Sequence, residues 1–381
     1  MKAWSKLLPL VICIVLGVAG CSDGAEDSSH SPGAFNPERY FAGKTLRFII
    51  SQSAGGGTDI QGRLIAQALT EHIPGHPRVT VTNIPGKGGM EDVYDARSDD
   101  LIFGVASQAS ELYTAPLTEQ ANLEPEKIQF IGAMGEEERA VLGYGEVAKA
   151  YGSIVDAFGK SDPLFINAAS VGAPGDIQNE MFFLPWLCDN MHMNCKFISI
   201  ADDGSADLDI MIQRGEMNWD AAPLTVAFRN SLDQIRDGSV RVFFTLYKGT
   251  DMKTLWPQGI KEAPVLKDLI PPGLYEEFES MLPMVSSGGL GKNWFAGPAV
   301  PQDVIRVMRD AFDKVAADAG VMKKLSELAT GSAGNALIEA HAISGRDAQT
   351  RFLESTKLFY DQLPAYQKMQ EKYYSEYWAR H

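Results

Sequence analysis

The sequence predicts an α/β chain of two domains, with crossover strands between them and a central cleft. Three observations carry this. Apolar, β-branched runs alternate with stretches of helical periodicity, the pattern of parallel sheets flanked by helices. One arrangement, strand then small-residue loop then helix start, occurs twice, near residue 50 and again near residue 170. The 381-residue length exceeds what one ordinary core holds.

The first arrangement is LRFIISQSAGGGTDIQGRLIAQALTEHI, residues 46–73. Leu46 to Ile50 reads as a buried strand. Ser53-Ala54-Gly55-Gly56-Gly57-Thr58-Asp59 is a glycine-rich turn. Ile60, Leu64, Ile65, Ala68, Leu69 and Ile73 then recur at helical spacing. The N–H groups of a first helical turn, with the positive end of the helix dipole, face whatever lies in such a loop. Thr58 or Asp59 is expected to cap the helix. No Gly-Lys-Ser/Thr follows the glycines, and the spacing is not that of a dinucleotide fingerprint.

The elements follow in order. RVTVTN (78–83) alternates like a strand. Pro85 to Met90 is a second glycine turn before a short helix. LIFGVA (101–106) is a third strand, ending in Ser107-Gln108-Ala109-Ser110. Residues 128–133 form another strand, and Glu136–Glu138 with Gly143–Gly145 marks a crossing. Residues 147–158 read as a helix. PLFINA (163–168) is a strand running into Ala169-Ser170-Val171-Gly172, with a helix from Ile177. Residues 196–200 form a strand, 206–214 a helix, 216–222 a second crossing and 240–246 a return strand. The proline-bearing stretch after it reads as irregular. NWFAGP (293–298) resembles a strand completing the first domain. Helices are expected at 304–317, at 321–328 and from Arg346 onward, the last packed on the body by its Phe, Tyr and Trp residues.

Composition is that of a globular protein, 45% apolar and 22% charged, with a net charge of -15. That balance disfavours nucleic acid and anionic lipid surfaces as partners. It leaves room for a small anion, because local N–H groups dominate within a Debye length of about 8 Å. The N-terminus reads as an export signal: Lys2 and Lys6, then the apolar run Leu7 to Val18. Val18-Ala19-Gly20-Cys21 resembles a bacterial lipobox, which implies cleavage before Cys21 and a lipid on its sulfur. Residues 1–20 would be the signal and 21–43 a polar tether. Cys13 leaves with the signal. Cys188 and Cys195 remain, in CDNMHMNC. An exported protein would join them as a disulfide; the rival reading is a soft-metal site with Met191, His192 and Met193.

Taken together, the motifs resemble the substrate-binding proteins of tripartite tricarboxylate transporters, the Bug family of periplasmic receptors. The matching pieces are Gly43-Lys44-Thr45 with the SAGGGTD loop, Asn83-Ile84-Pro85-Gly86-Lys87-Gly88-Gly89, and Asn167-Ala168-Ala169-Ser170-Val171-Gly172. Arg214-Gly215-Glu216-Met217-Asn218 and Trp294-Phe295-Ala296-Gly297-Pro298 follow in family order. The resemblance implies a type II periplasmic-binding-protein (Venus flytrap) fold. Residues 44–140 with 247–381 would form one domain and 141–246 the other. It implies no catalysis, no cofactor and no bound metal. The partners would be a small organic anion, typically a carboxylate, and the membrane subunits of a transporter. The protein would be a monomer, periplasmic and lipid-anchored.

Residue by residue, the resemblance places ligand contacts on Ser53, Ala54, Gly55, Gly56, Thr58, Asp59 and Ser107 of the first domain. In the second they fall on Ala169, Ser170, Val171, Gly172, Asp202 and Asp220. The chain departs from the pattern at Ala201-Asp202-Asp203-Gly204, at Asn218 and at Trp219-Asp220. Extra carboxylates near a cleft repel a second ligand carboxylate and accept an amine or hydroxyls instead. Trp219 reads first as a core residue, second as a stacking surface. No GxSxG, HExxH or Cys–His pairing is present, so a hydrolase is the weaker alternative. A lipoprotein that senses a ligand or contacts a partner without a dedicated transporter is the other.

Overall fold

The computed structural model describes residues 35–118, 122–135, 138–170, 183–200, 205–246, 256–285, 289–330 and 342–373. The described residues from Asn36 onward form one compact unit. A short helix, α1 (Pro37–Phe41), is capped by Asn36, whose side chain accepts from the Arg39 N–H at 3.0 Å. There follow β1 (Thr45–Ile50), α2 (Gly57–His72), β2 (Arg78–Asn83), α3 (Lys87–Tyr94), β3 (Ile102–Ala106), α4 (Ser110–Thr114) and β4 (Gln129–Gly135). The next run is β5 (Arg139–Tyr144), α5 (Gly145–Ala150), β6 (Phe165–Ser170), α6 (Phe183–Asn190), β7 (Cys195–Ile200), α7 (Ser205–Arg214), β8 (Trp219–Pro223), α8 (Leu224–Asp237) and β9 (Val240–Thr245). The chain then gives α9 (Pro272–Val285), β10 (Leu290–Ala296), α10 (Gln302–Ala317), α11 (Ala319–Thr330), β11 (Ala342–Ser344) and α12 (Gly345–Tyr373).

Three sheets result among the described residues. The largest has the order β11-β4-β10-β3-β1-β2. β1 pairs in parallel with both β2 and β3, while β10 runs antiparallel between β3 and β4. The strand read at 293–298 therefore joins the sheet begun at residue 45, as β10. Burial explains the pairing: Leu46, Phe48, Ile49 and Ile50 of β1 are buried, as are Phe103 and Val105 of β3. α2 covers this face with Ile65, Ala66 and Leu69. The helix can lie so close because of Gly62, where a Cβ would stand 3.1 Å from Ile50 Cδ1 and 3.2 Å from Val105 Cγ1.

The second sheet, β8-β5-β9, is antiparallel, and β6 and β7 form a parallel pair beside it. Asn218 joins the two. Its Oδ1 accepts from the Ile166 N–H at 2.7 Å and its Nδ2 donates to the Leu164 carbonyl at 2.8 Å. Trp219 is fully buried, its ring centroid 5.0 Å from Phe165 and 6.5 Å from Phe197. It is a core residue, as its first reading had it.

Some expectations need correction. The helix read at 147–158 is broken: α5 ends at Ala150 and a separate 3-10 turn spans Ile154–Ala157. Gly152 and Ser153 interrupt it, and Ser153 with Asp156 forms a capping box that starts the new turn. β5, α8 and α9 lie where no separate strand or helix was assigned. The described part of the tail, Gly345–Tyr373, does form a helix packed on the body, with Phe352 and Phe359 fully buried.

Candidate functional site

β2, β1 and β3 are adjacent and parallel, so their carboxyl ends open side by side. That edge is where open α/β sheets receive ligands. The loop after β1 carries Ser53, Ala54 and Gly55, all exposed, and half-buried Gly56. Gly55 has φ +88°, a left-handed conformation that a side chain would strain. The N-cap of α2 is Gly56, which has no side chain to accept from the first turn. Thr58 and Asp59 are the second and third helical residues and are buried, so neither is the cap expected of them.

Asp59 holds the loop in shape. Its Oδ2 accepts from the Gly55 N–H at 2.9 Å. Its Oδ1 accepts from Arg63 Nε at 2.8 Å and from Asn83 Nδ2 at 2.9 Å. Asn83 Nδ2 also reaches the Gln52 carbonyl at 2.9 Å, and Arg63 Nη2 donates to Asn83 Oδ1 at 2.5 Å. The Asp59 carboxyl lies below the usual aspartate range. Burial, the largest influence, opposes its charge, but the Gly55 N–H, the Asn83 amide and Arg63 together outweigh it. Gly55 and Asp59, both expected to touch ligand, thus spend an N–H and a carboxylate on each other.

A second carboxylate ties the strand ends together. Glu111, in α4, is 1% exposed. It accepts from Ser51 Oγ and Gln52 Nε2, each at 3.2 Å, and from the Gln108 N–H at 3.1 Å. The Gly86 N–H donates to the Ser51 carbonyl at 3.0 Å. The loops after β1, β2 and β3 are therefore cross-braced. Half-buried Ser107 sits beside Gln108 in this brace.

On the second side, Ala169 and Ser170 end β6, in register with Ser199 and Ile200 of β7. Val171, Gly172, Asp202 and Cys21 lie outside the described residues. Asp220, on β8 opposite Leu142, is 7% exposed, and its Oδ1 accepts from the Ala221 N–H at 2.7 Å. The Asp209 carboxyl of α7 is pushed up, first by burial and then by the Asp220 charge, with Arg229 acting in the opposite sense. Asn230 Nδ2 donates to Asp209 Oδ2 at 3.4 Å.

Arg229 is the residue that sequence reasoning missed here. It lies on α8, yet a Cβ built on Gly57 would stand 3.9 Å from its Nη1. The second sheet's helix thus delivers a guanidinium to the N-terminus of α2. No motif signals this, because the contact depends on how α8 packs.

Cys188 and Cys195 are joined as a disulfide. The soft-metal reading is overturned, since neither sulfur is a free thiolate. His192 has φ +51° in the turn between the two cysteines. Among the described residues no group of acidic, His or Cys side chains is placed to hold a metal ion, and no helix is long and apolar enough to cross a membrane.

No family model matches the sequence, and no curated protein is significantly similar to it. Solved structures do match. The periplasmic binding protein BugD aligns with a TM-score of 0.58 at 16% identity, covering 86% of this chain and 97% of that one. A TctC solute binding protein from Polaromonas, solved without ligand, aligns at 0.55 and 16% identity, covering 86% and 98%. MatC from Rhodopseudomonas palustris, solved with bound malate, aligns at 0.54 and 14% identity, covering 83% and 98%. Likeness at these identities establishes the fold: the chain has the two-domain α/β Venus flytrap architecture of the periplasmic binding proteins.

Proposed function

We propose that the chain is an extracytoplasmic solute receptor of the Bug family type, and that it binds a small organic carboxylate without turnover. The observation that carries this reading is the braced glycine loop at the carboxyl ends of β2, β1 and β3, opening onto the N-terminus of α2. Such a site offers N–H donors and a positive dipole end to an anion. The fold, and the malate named for one structural neighbour, support a carboxylate as the class. In this reading residues 44–140 with 247–381 form one closing unit and 141–246 the other. Ser53, Ala54, Gly56, Thr58 and Ser107 face the ligand from the first, with Gly55 and Asp59 bonded to each other in the loop that presents them. Ala169, Ser170, Val171, Gly172, Asp202 and Asp220 face it from the second. The ligand touches both only when they are closed, so it favours that state by its differential affinity. A lipid on Cys21 holds the receptor at the membrane, and transporter subunits of the tripartite tricarboxylate type receive the solute.

The test is a thermal-shift and calorimetric screen of the purified chain against malate, other di- and tricarboxylates, aromatic acids and amino acids. A carboxylate at hundredfold excess over its dissociation constant stabilises the fold by about 2.7 kcal/mol. That shift is expected to vanish in Ser170→Trp, which puts a bulky side chain at a proposed ligand contact. A panel in which no carboxylate shifts the midpoint overturns the reading.

A further inference from the structure

We infer that Arg229 is the specificity-determining side chain of the site, gripping the ligand carboxylate against the N-terminus of α2. The inference rests on the receptor reading above and adds to it the side chain that selects charge. Arg229 comes from α8, outside every loop in which contacts are expected, and its Nη1 lies 3.9 Å from where a Gly57 Cβ would stand. Its Nε donates to the neighbouring Asn230 Oδ1 at 3.2 Å. Among the described residues its Nη groups have no acceptor and it makes no ion pair within 4.0 Å.

A guanidinium and a helix N-terminus are both positive. The dipole end is worth roughly half an elementary charge. Placing them together is unfavourable on its own and favourable with an anion between them. The geometry also suits the chemistry. A guanidinium presents a planar fork that a carboxylate accepts from in two parallel hydrogen bonds. The first-turn N–H groups, left without a side-chain cap by Gly56, complete the grip from the opposite side. Asp209 feels the Arg229 charge without pairing with it directly. The guanidinium is held through Arg229 Nε on Asn230 Oδ1, which leaves the fork open. The ligand class that follows is an acid whose ionised carboxylate is indispensable; its ester or amide is rejected.

The experiment uses the full chain and calorimetric titration with malate, other dicarboxylates and their dimethyl esters. The proteins are the wild type, Arg229→Gln, Arg229→Lys and, as a control on the same helix, Arg236→Gln. Arg229→Gln is expected to lose affinity for the acid by about 10- to 100-fold, the worth of one or two charge-assisted hydrogen bonds. Arg229→Lys keeps the charge without the fork and falls between. Arg236→Gln matches the wild type. Raised ionic strength weakens binding to the wild type more steeply than to Arg229→Gln, a difference that a merely structural role would not produce. The unliganded unfolding midpoint of Arg229→Gln does not fall below the wild-type value. Acids bound equally by wild type and Arg229→Gln overturn the role of Arg229 and leave the receptor reading standing. Acids bound by neither overturn both.

Discussion

Asp59 stands where the sequence places a ligand contact, and its carboxylate is already occupied in holding the loop. Its carboxyl lies below the ordinary aspartate range in the folded chain. A group shifted in this direction stabilises the fold above its unfolded value, about 3.9, and loses that contribution as pH falls through the folded value. Asp59→Asn keeps the shape but turns an N–H donor toward the Gly55 N–H or forfeits the bond to Arg63. It is expected to cost about 1–3 kcal/mol at neutral pH, the worth of hydrogen bonds to a buried charged group. Denaturant unfolding checks this. The difference from wild type should shrink as the medium is acidified below the aspartate range; a difference that persists there would refute the assignment. The glycine loop itself was legible at the residue level, because small residues after an apolar run admit few other readings. Its anchors were not. Glu111, Arg63 and Asn83 meet the loop from separate elements, and no local spacing records that. Asn218 is similar: it is a departure from the family pattern, and it bonds β6 to the chain entering β8.

At the scale of elements, β1, β3, β4 and β10 of the large sheet were readable as apolar runs bounded by turn residues and β2 by its alternation, whereas the three-residue β11 is too short to leave a pattern. The elements that escaped notice share a physical reason, which is that their flanks disguise them. β5 follows an acidic stretch and ends in Gly143–Gly145, which reads as a crossing. α9 begins at Pro271-Pro272, where proline at the first helical position starts a helix rather than forbidding one. α8 starts directly behind Pro223 and bends at Ser231, whose φ of -134° leaves the helical range. Missing α8 meant missing Arg229. The disulfide was legible from compartment and spacing alone. It closes a short turn between the end of α6 and the start of β7, where the Met193 N–H also bonds the Cys188 carbonyl at 2.9 Å. Loop-closure entropy for so short a ring is worth about 2.5 kcal/mol. Replacing both cysteines by alanine is expected to lower unfolding stability by that amount, with the same loss produced in the wild type by reductant. A reductant-insensitive midpoint would show that the bond is not formed in solution.

At the scale of the whole molecule, the three sheets share one apolar core, and α9 with α12 carries it from one to the next. Phe352 and Phe359 of α12 pack on Phe130 and Tyr113 beside the large sheet, and the Tyr360 hydroxyl donates to the Tyr113 carbonyl at 3.0 Å. Gln362 Nε2 of the same helix donates to the Ser280 carbonyl of α9 at 2.9 Å. α9 in turn meets α6. Phe278 lies 5.2 Å from Phe183 and 6.1 Å from Trp186 between ring centroids, and Trp186 Nε1 donates to Glu277 Oε1 at 2.8 Å. Lys372 near the end of α12 forms an ion pair with Asp189 of α6, though an exposed pair contributes little. Domain motion is the default where an interface is small and polar; a continuous apolar interface couples the parts. The wild type is therefore expected to unfold in a single calorimetric transition. Phe278, fully buried at the junction, is the residue on which that coupling turns. Phe278→Ala leaves a cavity and should cost about 3–5 kcal/mol. Because the loss falls between the sheets rather than within one, the variant should unfold in two resolved steps, the less stable half melting first. Two steps in the wild type, or one unbroken step in Phe278→Ala with its full loss of stability, would show that the coupling runs elsewhere than through α9.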